Sequence, residues 1–348
     1  MLTVSLYDKT QMDLWDTFVE SHPNGTPYHL SCWLRTIHET YSFKPFLYVV
    51  KKNNGGISGI LPLFLIKSWI SNNRLVSLPF SDCGGPLFLD QADEAELLKN
   101  IIHEHGKSVN YIEMRSKLTE GSNFIVYNHY KRCVLDLTPG MSVVRKKLEK
   151  RTIQYSIRKA EKIGVEIKEE NSRVGMDEFY RLNMLTRKKH GVPCQPKIFF
   201  DKLLENVISK GHGFILLAFY DSKAVASSLF MKCNNTIHYK YNASDPDYMK
   251  KVSPNHSLTC QAIRLGYQRG FKCFDFGRTS PDNQGLMRYK KLWGSKVIDI
   301  PHYYYPQIKG ASSTEESSGM YRRLTNVWRS LPNPIIAKIG PMIYKHTA

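Results

Sequence analysis

The chain has 348 residues, 42% hydrophobic and 23% charged, a composition that excludes a disordered tract and leaves room for two domains. Lys and Arg outnumber Asp and Glu by 49 to 31, and the formal charge of +18 draws in anions: nucleic acid, phosphorylated ligands or an acidic membrane surface. Seven cysteines without a C-x-x-C pair exclude a disulfide framework or a zinc motif, and the start lacks the basic end and apolar core of a signal peptide, so a cytosolic protein is expected.

In chain order, a helix-like stretch from Ser31 to Tyr41 precedes a hairpin. Its strands are Phe46 to Val50 and Ile57 to Leu65, joined by the polar turn 51–56. The apolar run Ile60 to Ile66 is far too short to cross a bilayer. Next comes a basic segment that reads as one long helix, capped by Ser142 and ended by Gly164, with Val144, Leu148, Ile153 and Ile157 as its apolar positions. Arg158 and Lys159 lie near its end, where cations complement the helix dipole, and either an anion-binding edge or a solvated face fits them. A second helix, Met176 to His190, then precedes a second hairpin, Phe214 to Tyr220 and Ala224 to Met231. Two copies of a helix–hairpin unit fit a duplication, and equally a mixed protein with two unrelated hairpins.

Further on, Pro254-Asn255-His256-Ser257 opens an apolar helix, Leu258 to Arg269, with Asn255 or Ser257 as its cap. Free N–H groups there attract phosphate, although a plain cap is the commoner reason for such residues. The strand Phe274-Asp275-Phe276-Gly277-Arg278 places Asp275 opposite the two phenylalanines, to face a cleft or to pair with Arg278 or a helix end. Gly285 to Gly294 is basic and aromatic, and Val297 to Tyr305 is strand-like. Residues 309–319 read as a linker. In the tail, Met320 to Ala348, Pro332 and Pro334 break the chain into short helices that either pack on the body or lie on an anionic membrane.

No Walker loop, dinucleotide fingerprint, nucleophile elbow or paired-histidine metal motif is present. The chemistry left is transfer by positioning and electrostatics. Acyl transfer to an amine builds charge on a carbonyl oxygen, which a fixed donor stabilises, and requires a proton acceptor for the amine. Lys290, beside Tyr289, is a candidate donor; by itself it also reads as one more surface lysine of a basic protein.

Taken together, these segments resemble the Fem-type (FemAB/FemX-like) transferases of the GNAT superfamily over almost the whole chain. The resemblance rests on His29-Leu30-Ser31-Cys32-Trp33, Gly59 to Leu63, Leu75 to Phe80 with Gly84-Gly85-Pro86, Ile157 to Val165, Pro254-Asn255, Phe274 to Arg278, Gly285-Leu286, Tyr289-Lys290 and Trp293-Gly294. The details, including the tail with Trp328 to Pro332 and Ile339-Gly340-Pro341, look most like the exosortase (PEP-CTERM) and exopolysaccharide-associated subgroup.

The resemblance implies an α/β (α+β) fold of two tandem GNAT-like domains, each a mixed sheet flanked by helices. These would be residues 1–140 and a catalytic domain at 141–308, followed by a linker and short amphipathic helices at 309–348. It implies an acyltransferase or aminoacyltransferase of cell-envelope, peptidoglycan or exopolysaccharide biosynthesis. No cofactor is bound permanently; acyl-CoA or aminoacyl-tRNA is the co-substrate, and the acceptor is a nucleotide- or lipid-linked precursor. The implied catalytic residues are Lys290, Tyr289 and Asp275. The implied substrate-binding residues are Arg158, Lys159, Lys189, His190, Asn255, His256, Arg278 and Trp33, with no metal. The precursor-binding lysine of the family's first domain has no counterpart after Trp33, where Arg35 is the nearby cation, and the coiled-coil arm of some members has none either. The acyl-CoA pyrophosphate loop (Q/R-x-x-G-x-G/A) of GNAT enzymes is missing too. The expected location is cytoplasmic, with peripheral contact at the inner membrane face through the tail; oligomeric state is left open. The competing reading is a non-catalytic basic module that binds RNA or an anionic membrane.

Overall fold

The structure is a computed structural model that describes residues 3–6, 12–52, 55–69, 72–120, 122–280, 282–307, 325 and 328–347. The chain divides into two compact units. The first takes Met1–Tyr130, Asp299–Ser313 and His346–Ala348, and the second takes Lys131–Ile298 and Thr314–Lys345. The linker expected at 309–319 lies outside the described residues.

In the first unit, β1 (Thr3–Leu6), β2 (Lys44–Lys51), β3 (Ile57–Ile66), β4 (Arg74–Ser77) and β6 (Tyr111–Met114) lie side by side in that order. A short strand, β5 (Leu87–Phe88), adds to β3, and Tyr303 to Tyr305 of β13 (Lys296–Tyr305) pair with β6. All these pairings are antiparallel except β4 with β6. The first expected hairpin is β2–β3, with Tyr48 opposite Leu61. Helices α1 (Met12–Ser21), α2 (Ser31–Tyr41) and α3 (Gln91–His105) accompany the sheet. The second of them ends where Ser42 turns left-handed (φ 55°) and its N–H bonds to His38 O. Leu61, Leu63, Leu75, Leu97, Ile101 and Ile112 form the core under α3.

A charged group is buried in this unit. Arg115 Nε donates to Glu113 Oε1 at 2.7 Å, and His302 Nδ1 lies 3.4 Å from the same oxygen. Burial would raise the Glu113 carboxyl, but the Arg115 guanidinium and His302 hold it well below the usual carboxylate range.

In the second unit, residues 131–136 of β7 (Ile125–Asp136) start a sheet. It continues through β12 (Cys273–Thr279), β11 (Thr236–Ser244), β10 (Lys223–Cys233), β9 (Gly213–Tyr220) and β8 (Glu166–Glu169). Only β11 and β12 run parallel. The second expected hairpin is β9–β10. Helices α4 (Met141–Lys147), α5 (Tyr155–Lys162), α6 (Arg173–His190), α7 (Lys197–Leu203), α8 (Pro246–Val252), α9 (Pro254–Gln268) and α10 (Gln284–Lys291) flank the sheet. Leu258, Ala262 and Ile263 of α9 press into the core with Phe230, Phe274 and Trp293.

The long helix expected from Ser142 to Gly164 is broken. Leu148 is extended (ψ 131°), and Glu149 then caps a wide turn at Lys150–Gln154 by accepting from the N–H groups of Arg151 and Thr152. The apolar spacing accounts for this: Leu148 to Ile153 is five residues, so a single regular helix cannot turn both stripes inward. Neither Asn255 nor Ser257 caps α9. Its N-cap is Ser253, itself left-handed (φ 53°) and without a side-chain bond to the helix.

The tail helix is α11 (Asn333–Tyr344), with Pro332 at its N-cap and Pro334 in its first turn, where a proline starts a helix rather than breaking it. Ile336 and Trp328 are buried, so this part of the tail packs on the body. Among the described residues, no helix is long and apolar enough to cross a membrane.

Candidate active site

The parallel pairing of β11 with β12 stops after three residues, Thr236 with Cys273, Ile237 with Phe274 and His238 with Asp275. Beyond that point the two strands part. The residues Tyr239 to Asn242 lie on a central strand of the sheet, yet they are only half-buried. Such accessibility in a central strand marks an opening within the sheet.

Side chains from four elements meet beside this opening. Asn242 Nδ2 donates to Ser228 Oγ at 3.1 Å and to Asn255 Oδ1 at 3.2 Å. Ser228 Oγ is 2.9 Å from the Tyr239 hydroxyl. Thr259 Oγ1 donates to Asn255 O at 2.9 Å and is 3.2 Å from the Tyr289 hydroxyl. Because the Thr259 proton goes to Asn255 O, the Tyr289 hydroxyl is the donor of that second bond. Because Asn255 Oδ1 accepts from Asn242, its Nδ2 is turned the other way as a donor. The His256 ring stands 5.4 Å from that of Tyr289 and 6.4 Å from that of Trp293. Neither of its nitrogens has a hydrogen-bond partner of normal geometry. Burial lowers the His256 pKa below its ordinary value, opposed only by the nearby Ser253 backbone, so the ring is neutral at pH 7. Burial raises the Tyr289 and Tyr239 hydroxyls, which stay protonated.

Of the residues singled out in the sequence, Tyr289, Asn255 and His256 belong to this cluster. Two basic ones reach α8, the helix that precedes α9. Lys159 Nζ donates to Lys250 O at 3.2 Å, and Lys189 Nζ lies 3.2 Å from Met249 Sδ. Arg158 is exposed on α5, and His190 is exposed at the last turn of α6.

The others are placed differently. Lys290 is 5% exposed, and its Nζ donates to Gly277 O at 2.8 Å and Arg278 O at 3.2 Å. It is therefore not a mobile surface cation; it holds a break in β12, where Gly277 takes a left-handed φ of 72° and the register with β7 shifts. Asp275 does not pair with Arg278. Its Oδ1 accepts from Gly277 N at 2.8 Å, while Oδ2 pairs with Arg132 at 3.3 Å and faces His238 Nδ1 at 3.7 Å. Arg278 is half-buried, opposite Arg132 across that register. Trp33 is fully enclosed in the first unit against Tyr28, with no surface to offer a ligand.

The sequence reading missed Ser228, Tyr239, Asn242 and Thr259. A signal was available in Tyr239-Lys240-Tyr241-Asn242, where polar and half-polar residues occupy a strand that apolar neighbours enclose. Among the described residues, no group of three or more His, Cys, Asp or Glu is arranged to hold a metal. A separate open groove of about 660 Å³ lies on α10 and includes Lys131, Arg288 and Lys291, but it shares no side chain with the cluster.

Residues 147–291 match the family model described as "Acetyltransferase (GNAT) domain". A Lipid II:glycine glycyltransferase of Staphylococcus haemolyticus is 31% identical over 81 residues, 22% of this chain and 19% of that protein. The chain thus matches less than a fifth of the length of that curated relative. Among solved structures, FemX superposes with a TM-score of 0.65 at 16% identity, covering 87% of this chain and 97% of its own. A tandem GNAT protein from the clavulanic acid biosynthesis pathway gives 0.53 at 9% identity, covering 87% and 98%. The chain has the tandem GNAT fold, and residues 147–291 are the part of it that the GNAT domain model matches.

Proposed function

We propose that this protein is an N-acyltransferase of the Fem type, moving an acyl or aminoacyl group onto an amine of a cell-envelope precursor. The observation that carries the reading is the neutral, unpartnered imidazole of His256 beside the opening between β11 and β12. His256 is the proton acceptor, Asn255 Nδ2 the donor to the carbonyl oxygen, and Tyr289 a hydroxyl that orients the amine.

The attacking nitrogen forms the C–N bond as the carbonyl π pair moves to oxygen, where Asn255 donates to it. The ammonium proton passes to the His256 ring. Collapse of the tetrahedral species breaks the bond to the leaving thiolate or ribose oxygen, and the imidazolium returns its proton to that atom. Lys159 and Lys189, which reach α8, with Lys250 and Lys251 on α8, attract the phosphates of the donor, whether acyl-CoA or aminoacyl-tRNA. Lys290 and Asp275 act through the backbone of β12 rather than at the reacting atoms.

The likeness to a lipid II glycyltransferase supports a peptidoglycan precursor as the acceptor. The exopolysaccharide alternative rests on the tail sequence. The test supplies acyl-CoAs and aminoacyl-tRNAs in turn with envelope precursors that carry a free amine. Release of thiol or of uncharged tRNA, dependent on the amine and lost in His256→Ala, is expected with one donor class. Full activity of His256→Ala would remove the assigned base. Tight RNA or vesicle binding without transfer from either donor would replace the enzyme reading with the binding-module one.

A further inference from the structure

Helix α11 is apolar on two opposite sides. One side is packed: Ile336 is fully buried, and Gly340 lies so close to Cys194 that a Cβ would come within 3.3 Å of its backbone nitrogen. Arg187 of α6 completes the contact, its guanidinium 6.0 Å from the centre of the Tyr344 ring. On the other side, Ile335 and Ile339 are each 40% exposed and Met342 is 65% exposed. Their spacing of four and then three residues puts them in one stripe along the helix. A stripe of three large apolar side chains is unlike the scattered single exposures of an ordinary surface.

Charge says what covers it. Residues 325–348 contain Arg329, Lys338 and Lys345 and neither Asp nor Glu. Arg329 and Lys345 are exposed. Arg329 Nε donates to Lys189 O at 3.1 Å, which brings the basic last turn of α6, Arg187-Lys188-Lys189-His190, alongside the tail. Exposed Lys345, three residues beyond Met342, adjoins the stripe, and exposed Arg329 stands just before the helix. Twelve residues of helix span roughly 18 Å, too little to cross a bilayer but enough to lie in its surface.

We infer that α11 is an interfacial anchor for an anionic lipid bilayer. Ile335, Ile339 and Met342 enter the headgroup boundary while Arg329 and Lys345 meet lipid phosphates. The inference is independent of acyl transfer, since neither the stripe nor Arg329 and Lys345 belong to the cluster around His256.

The experiment is flotation of the full chain with vesicles of phosphatidylcholine alone or mixed equally with phosphatidylglycerol. Binding only to the mixed vesicles, weakened by salt, is expected. Ile339→Ser/Met342→Ser should lower that binding by about tenfold or more at an unchanged melting temperature, because both side chains are exposed. Lys345→Glu should weaken it by about fivefold, which reads the charge term should the double variant not fold. The proposal is overturned by absent binding, by equal binding to both vesicles, or by unchanged binding of both variants. It is also overturned if sedimentation finds a dimer that the double variant dissolves, since a second copy would then occupy the stripe.

Discussion

Lys290 Nζ donates to the carbonyl oxygen of Gly277 at 2.8 Å, across the bulge that shifts the register of β12 with β7. A buried ammonium on two backbone carbonyls is a strut. Lys290→Met leaves both oxygens without that donor, each at a cost of about 1–3 kcal/mol. An unfolding free energy lower by about 3 kcal/mol is expected in urea titrations, with activity recovered wherever the variant is folded.

His256 behaves in the opposite way. Its ring makes no normal hydrogen bond, so His256→Ala should change stability by no more than about 1 kcal/mol. Turnover should fall by roughly 10²–10⁴, the usual contribution of a general base.

The pH profile separates these two residues again. The folded His256 pKa lies below its ordinary value of 6.5, and the reactive form is the neutral one. The rate should therefore rise with pH through a midpoint below 6.5. In His256→Ala that limb should disappear from the residual rate.

Asp275 joins β12 to β7 through Arg132, whose side chain is one-third exposed. Asp275→Asn keeps an acceptor for Gly277 N–H but loses the ion pair. A loss of about 2 kcal/mol is expected, below that of a wholly buried pair because solvent screens the guanidinium. Thermal melts at low and high salt test this, since the wild type should lose part of the same difference in salt.

In the first unit, burial lowers the His29 pKa to about 4, with the Gly85 carbonyl opposing the shift and His22 adding to it. The unfolded chain takes up this proton near its ordinary value of 6.5 and the folded chain does not. Stability is therefore full above 6.5 and declines as pH falls from there towards 4. The decline should reach about 3 kcal/mol, measurable as a drop in urea midpoint between pH 7 and pH 4.

The two hairpins were legible because each is a pair of short apolar runs around a polar turn, buried almost along the whole length of β3, β9 and β10, and α2 because it carries a helical stripe. The break at Leu148 was written in the sequence as a five-residue step, but single-helix capping signals outweighed it. The site was harder to read. Lys290 and His256 sit in similarly polar and aromatic stretches. What separates them is whether long-range carbonyls meet the side chain, Gly277 and Arg278 in one case and none in the other. That depends on where β12 bends, and the bend depends on the pairings that β7 and β11 make with it.

The early parting of β11 from β12 leaves one strand with two unlike edges. Towards β10, its residues keep their ladder as far as Ser244. On the other edge, past His238, no strand receives the alternate peptide groups. Deuterium uptake along Tyr239 to Ala243 should therefore alternate, slow where β10 holds the amide and fast where it points into the gap. A bound donor would slow only the fast set, so occupancy of the gap can be read in an inactive variant, without any turnover.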